Sequence, residues 1–257
     1  MIGIASSAIA SEDDSSNDLS LRIGAEHTSG KYGTNQRTSI WTIPADLMYS
    51  TDNYLFDLSV PYVHMTGPAG AIAGQVRRRP RANRAMVTES GIGDSTASAT
   101  RYLVDSDDTG WTWDVGGIVK FATGDVHRGL GTGANDYSLL TDLTKRFDRL
   151  ALTGTLGRWW LGSPDVVTIG GVTENLQFKN VYYGYLGVSY RTSDTVKLGI
   201  TLYREQATEK GGYPQRDLTL YANFDTSRST TLRVYLMRGM DNGSPSRGIG
   251  LNFTVSM

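Results

Sequence analysis

The sequence predicts an all-β protein, a transmembrane antiparallel β-barrel of about twelve strands. Three observations carry that prediction. Apolar residues recur at every second position in one segment after another, the period of a strand and not of a helix. The connections between these segments alternate strictly between short and long. Aromatic residues gather at both ends of the segments. The last ten residues show the rhythm most plainly: Ile249, Leu251, Phe253, Val255 and Met257 fall on one side, and Gly248, Gly250, Asn252, Thr254 and Ser256 on the other. In a soluble sheet such a strand is an exposed edge. In a barrel it is the closing strand, with one face in lipid and the other in the lumen.

Taken in order, Leu19, Leu21, Ile23 and Ala25 alternate with Ser20, Arg22, Gly24 and Glu26. Trp41, Ile43, Ala45, Leu47 and Tyr49 alternate with Thr42, Pro44, Asp46 and Met48. Tyr54, Phe56, Leu58, Val60 and Tyr62 stand against Asp57, Ser59 and Pro61. Trp111, Trp113, Val115, Gly117, Val119 and Phe121 stand against Asp114, Gly116 and Lys120. The same rhythm returns at Val196, Leu198, Ile200 and Leu202, at Leu218, Leu220, Ala222 and Phe224, and at Leu232, Val234 and Leu236. Weaker segments near 92–104, 136–147, 149–161 and 179–191 complete an even count. In the first of these the phase is ambiguous, because Asp94 and Arg101 fall on opposite faces.

Short breaks at Thr51-Asp52, Asp105–Gly110, Asp148, Ser193 and Asp225–Arg228 are expected at the periplasmic rim. Longer ones near 29–36, 65–91, 123–135, 162–178, 207–214 and 241–246 are expected outside the cell. Tyr49, Tyr54, Trp111, Trp113, Tyr190 and Phe224 then form one aromatic girdle, and Trp41, Tyr62, Phe121, Tyr137, Trp160 and Tyr182 the other. A large soluble β-sandwich would show shorter strands and no such sorting.

Composition narrows the choice further. With 25 basic and 26 acidic residues, the global charge points to no nucleic-acid partner. The absence of cysteine excludes disulfides, thiolate metal sites and cysteine nucleophiles. No apolar run is long enough for a transmembrane helix. Residues 1–17 have two readings. Either they are a signal-peptide remnant, with Ala8-Ile9-Ala10 as a small-x-small cleavage site before a disordered acidic stretch, or they are a flexible extension. Residues 18–257 are the expected barrel.

Three blocks resemble a family of outer-membrane transporters associated with the meta-pathway of phenol degradation. They are Leu58-Ser59-Val60-Pro61-Tyr62-Val63, Ser90-Gly91-Ile92-Gly93-Asp94, and a third running from Val119-Lys120-Phe121-Ala122-Thr123-Gly124-Asp125 through Gly129-Leu130-Gly131-Thr132-Gly133 to Asp136-Tyr137-Ser138-Leu139. Pro44 and Pro61 resemble the family's second- and third-strand prolines, whereas Ala122 replaces its proline before Thr-Gly-Asp. The resemblance implies an outer-membrane channel and leaves the solute open.

The candidate site is the polar face of the strands. Arg22, Glu26, Asp46, Asp57, Asp114, Lys120, Asp142, Lys197, Asp217 and Arg233 all occupy it, because an ionised group in hydrocarbon costs several kcal/mol. They either line a hydrated pore or cross-pair to plug a narrow barrel. Asp46, Asp57 and Asp114 are expected to share that face with Arg22 and Lys120 as partners. In the longest loop Arg77, Arg78, Arg79, Arg81 and Arg84 suit an anion or lipopolysaccharide phosphate, an inward constriction, or a solvated loop. Gly129–Gly133 lacks the Gly-Lys-Ser/Thr of a phosphate loop and reads as a flexible connection. His27, His64 and His127 show no metal-ligand spacing. A barrel phospholipase is the enzymatic rival, but His64 and Ser59 lie too far apart on one strand, and no Gly-x-Ser-x-Gly is present. The expected protein is a monomeric channel for passive passage of small solutes, aromatic or apolar compounds among them. It needs no cofactor and touches outer-membrane lipid and lipopolysaccharide. The alternative is a non-transporting barrel that serves as scaffold or adhesin through its long loops.

Overall fold

The structure is a computed structural model that describes residues 18–73, 84–169 and 171–257. The two readings of residues 1–17 therefore lie outside the described residues, as do Arg77, Arg78, Arg79 and Arg81. The strands in chain order are β1 (Asp18–Gly30), β2 (Thr38–Ser50), β3 (Tyr54–Pro68), β4 (Met86–Ile92), β5 (Ser95–Ser106), β6 (Trp111–Phe121), β7 (Asp136–Phe147), β8 (Leu150–Trp160), β9 (Asp165–Ile169), β10 (Val172–Leu176), β11 (Val181–Ser193), β12 (Val196–Glu205), β13 (Gln215–Ser227), β14 (Thr230–Gly239) and β15 (Arg247–Ser256). Setting aside β4, β9 and β10, they form a closed antiparallel wall of 12 strands. The last strand, β15, pairs with β14 on one side and β1 on the other, so the terminal rhythm closes the barrel as expected. Closure gives each of those 12 strands two partners, while β4 pairs on one side only, with β3.

Two prolines shape an irregular part of the wall. Pro44 and Pro61 face each other in the β2–β3 register, and neither has an N–H to give. Beside Pro44 the β1–β2 ladder skips from Ile23↔Ala45 to Glu26↔Thr42. The Pro61 carbonyl accepts from the Gly93 N–H at 2.8 Å, but proline returns no bond, and the fourth wall strand splits there. Its upper part, β4, pairs with Tyr62–Pro68; its lower part, β5, pairs with Tyr54–Ser59. The ambiguous phase of 92–104 has this cause. Gly93 and Asp94 belong to neither strand, which frees Asp94 from the alternation while Arg101 keeps an outward position.

Outward positions carry an unbroken band of exposed apolar side chains, from Leu19, Leu21 and Ile23 on β1 to Ile249, Leu251 and Phe253 on β15. All twelve girdle residues expected from the sequence are exposed on that surface. A soluble monomer rarely shows a continuous apolar belt of this kind; lipid is its natural solvent.

The long-loop rim differs from expectation in being packed. Tyr32, Ile40, Val63, Met65 and Leu130 form one buried cluster, with Ala71 and Ala73 against it. Ile72, Val167, Ile169 and Leu176 form a second, with Val126 and Phe178 alongside. The hairpin β9–β10, absent from the sequence reading, supplies most of that second cluster. The loop around Gly129–Gly133, expected to be a flexible connection, is pinned. A 3-10 turn at Val126–Arg128 starts from an Asp125 cap and ends at Gly129 with φ of 69°, which drops Leu130 into the first cluster. Burial pushes the Tyr32 phenol above its ordinary pKa, and its hydroxyl stays a donor, to Thr28 Oγ1 at 2.9 Å.

Candidate functional site on the inner wall

Alternation places all ten expected charged residues on the inner face, and the side chains there fall into three groups. On β1–β3, Arg22 Nε meets Asp46 Oδ2 at 2.6 Å, and Arg22 Nη2 meets Asp57 Oδ2 at 3.4 Å. Higher up, Lys120 Nζ meets Asp136 Oδ2 at 2.6 Å and Asp94 Oδ2 at 3.1 Å, and it donates to Thr132 Oγ1. Asp94 in turn accepts the backbone N–H of Gly124 at 3.0 Å and of Thr132 at 2.9 Å. One lysine thus fastens the split of the fourth strand, the start of β7 and the inturned loop to each other. Sequence reasoning named Lys120 but missed Asp94 and Asp136. For Asp94 the available signal was an acid directly after Gly-Ile-Gly in a segment whose alternation fails.

The third group holds carboxylates. Asp114 and Asp142 are direct register partners on β6 and β7, and Asp142 accepts from Thr155. Asp114 Oδ1, Asp217 Oδ1 and Asn223 Oδ1 are buried with no hydrogen-bond partner. The expected partnership of Asp114 with Arg22 or Lys120 is not formed; those cations are taken by acids closer in the register. Lys197 on β12 is the register partner of Arg191. Arg233 lies over the Tyr221 ring, 4.1 Å from its centroid.

Tyrosines make the rest of the wall. Tyr183, Tyr221 and Tyr235 each lie across a glycine of the neighbouring strand, Gly157, Gly199 and Gly250. A Cβ at any of those glycines would collide with the ring. The rings therefore follow the circumference instead of projecting to the centre. Beyond its glycine, Tyr235 donates to Glu26 Oε2 at 2.7 Å, and Tyr183 reaches Ser138 Oγ at 2.9 Å. Tyr203 donates to Glu205 Oε2 at 2.7 Å and packs on Tyr185, centroids 4.6 Å apart. Alternation puts Tyr221 and Tyr235 on the polar face, but only the register reveals the glycine that each one covers.

Of the five loop arginines only Arg84 is described. Its Nη1 donates to the Ala69 carbonyl at 2.8 Å, and its backbone N–H donates to Gln36 Oε1 at 2.8 Å. His64 Nδ1 contacts Ser90 Oγ at 2.6 Å, so the histidine has a serine partner that spacing along one strand did not suggest. The pair lacks the third group that orients a nucleophilic triad among the described residues, and His27 makes the same kind of contact with Ser39 at 2.8 Å. Both read as polar capping at the upper girdle. Among the described residues no three His, Asp or Glu side chains gather to hold a metal.

No family model matches the sequence, and no curated protein matches it. Solved structures do. An outer membrane channel from Pseudomonas putida F1 superposes with a TM-score of 0.76 at 14% identity, covering 95% of this chain and 96% of that one. The chain is an outer-membrane β-barrel. The β domain of the Bordetella autotransporter BrkA is also similar, with a TM-score of 0.55, 10% identity and coverage of 95% and 100%. The NanC porin gives 0.50 at 14% identity, covering 93% and 98%. At such identities the likeness speaks for the fold, and function rests on the inner wall.

Proposed function

We propose that this outer-membrane barrel is a passive channel for small solutes, acting as a monomer and without cofactor or catalytic activity. The observation that carries the reading is the direction of the inner contacts. Arg22 bonds to the next two strands, Lys120 to its immediate neighbours, and Tyr235 and Tyr183 to side chains two strands away. Among the described residues no ion pair joins opposite walls. Charges that plug a barrel pair across it, whereas charges that line a hydrated path are satisfied along the wall. Tyrosine rings laid flat on glycines favour the same reading. They also offer aromatic faces with hydroxyls at the side, which suits small aromatic or otherwise apolar solutes; the resemblance to phenol-pathway transporters points the same way.

The decisive measurement is conductance of the purified protein in planar bilayers. Steady, ohmic single-channel steps are expected. A folded barrel that passes no current would end the channel reading and leave the scaffold or adhesin alternative. Growth of a deletion strain on aromatic carbon sources then tests the solute class, with slower growth at low substrate concentration as the expected result.

A further inference from the structure

The outer wall carries a feature that passage of solutes does not use. Arg158 on β8, Arg204 on β12, Arg216 on β13, Arg238 on β14 and Arg247 on β15 all hold outward positions near the long-loop rim. The register climbs around a tilted barrel, and the arginines step down strand by strand along it, so they form a belt at similar height just above the apolar band. Arg204 and Arg216 are direct register partners. Like charges directly opposite each other on one sheet face destabilise it. The protein offers little to offset that repulsion: among the described residues only Asp241 forms an ion pair with any of the five, at 3.2 Å from Arg216. Arg158 is engaged by its neighbours: its Nη1 donates to the Tyr182 hydroxyl at 3.2 Å and its guanidinium lies 5.2 Å from the Trp160 and Tyr182 ring centroids, which leaves Arg204, Arg238 and Arg247 as the exposed members of the belt. The other sector of the upper girdle, on β1–β3, carries His27, Trp41, Tyr62 and His64 instead. At the opposite rim the outward Arg101 and Lys145 lie over aromatic rings, Tyr54 at 5.9 Å and Trp111 at 5.1 Å.

We propose that this arginine belt is a docking face for lipopolysaccharide, whose phosphorylated headgroup lies at this height in the outer leaflet. One phosphate fits between Arg204 and Arg216, and a second between Arg238 and Arg247. The planar guanidinium fork matches phosphate oxygens two at a time, and a bound dianion turns the Arg204–Arg216 repulsion into a clamp. The acyl chains then lie on Leu220, Leu236 and Ile249 below. This reading concerns the lipid side of the wall and stands or falls apart from the channel reading.

The test is binding of the detergent-purified full chain to lipopolysaccharide, with phosphatidylglycerol and inorganic phosphate titrated in parallel. The variant is Arg204→Gln/Arg238→Gln/Arg247→Gln, and the control is Arg101→Gln/Lys145→Gln at the periplasmic girdle. Expected are at least tenfold weaker lipopolysaccharide binding by the belt variant, an unchanged control, and weak binding of dephosphorylated lipopolysaccharide to the parent. The three single substitutions, each expected to weaken binding severalfold, serve if the triple variant does not fold. Equal binding by parent and belt variants would overturn the proposal. So would phosphatidylglycerol or free phosphate binding as tightly as lipopolysaccharide.

Discussion

At the scale of single residues, the inner wall separates groups that look alike in the sequence. Asp46 and Asp57 both answer Arg22, but one lies at 2.6 Å with its side chain 4% exposed and the other at 3.4 Å and 21% exposed. Removing Arg22 strands the buried carboxylate, so Arg22→Met is expected to cost on the order of 3 kcal/mol. Asp57→Asn leaves the close pair intact, and screening limits its cost to about 1 kcal/mol or less. Urea unfolding in lipid vesicles measures both, and equal losses would mean that the two carboxylates share the arginine evenly. Lys120→Met leaves Asp94 and Asp136 without their cation and is expected to loosen the inturned loop. Because Lys120 and Asp57 sit in separate networks, their combined effect should be additive within about 0.5 kcal/mol. A large coupling would show a connection through the lumen that the static contacts lack.

At the scale of the strand, period two decides which face meets lipid, and β12 gives the cleanest contrast. Ile200 is exposed on the outer band, while Thr201 is half-buried on the inner face beside Gly187 of β11. Ile200→Arg near the midplane is expected to cost roughly 2–4 kcal/mol. Thr201→Arg should fold as the parent does and change single-channel conductance. Similar behaviour of the two in folding assays would reverse the facing of this strand. The elements also show where pattern reading falls short. Strands of ten or more residues with strict alternation, such as β12, β13 and β15, were legible because burial repeats along their whole length. The β4–β5 split was not, because it arises from Pro61 on a neighbouring strand. The hairpin β9–β10 was missed because five-residue strands packed on loops carry too short a pattern.

At the scale of the whole molecule, the wall and the mouth are built by different rules. The wall closes through backbone pairing; the long-loop rim is held by two apolar clusters, Leu130 in one and Ile72 with Ile169 in the other. Replacing Arg77, Arg78, Arg79, Arg81 and Arg84 together by Gln should leave the barrel's thermal stability within about 0.5 kcal/mol, since a surface loop adds little to wall packing. Reversal potentials across a salt gradient should shift toward cations. An unchanged potential would place that charge away from the conduction path.

The sequence by itself determined the barrel, its strand count and its closing strand. Those follow from alternation and turn spacing, which are local properties of the chain. Which charges meet was decided only in three dimensions. Lys120 finds Asp94 because the strand beside β6 splits opposite Pro61 and leaves Asp94 in the gap, and Tyr235 finds Glu26 because Gly250 on the strand between them has no Cβ. Such pairings depend on cross-strand register, and register is set by hydrogen bonds between segments distant in sequence, with β1 joined to β15 as the extreme case.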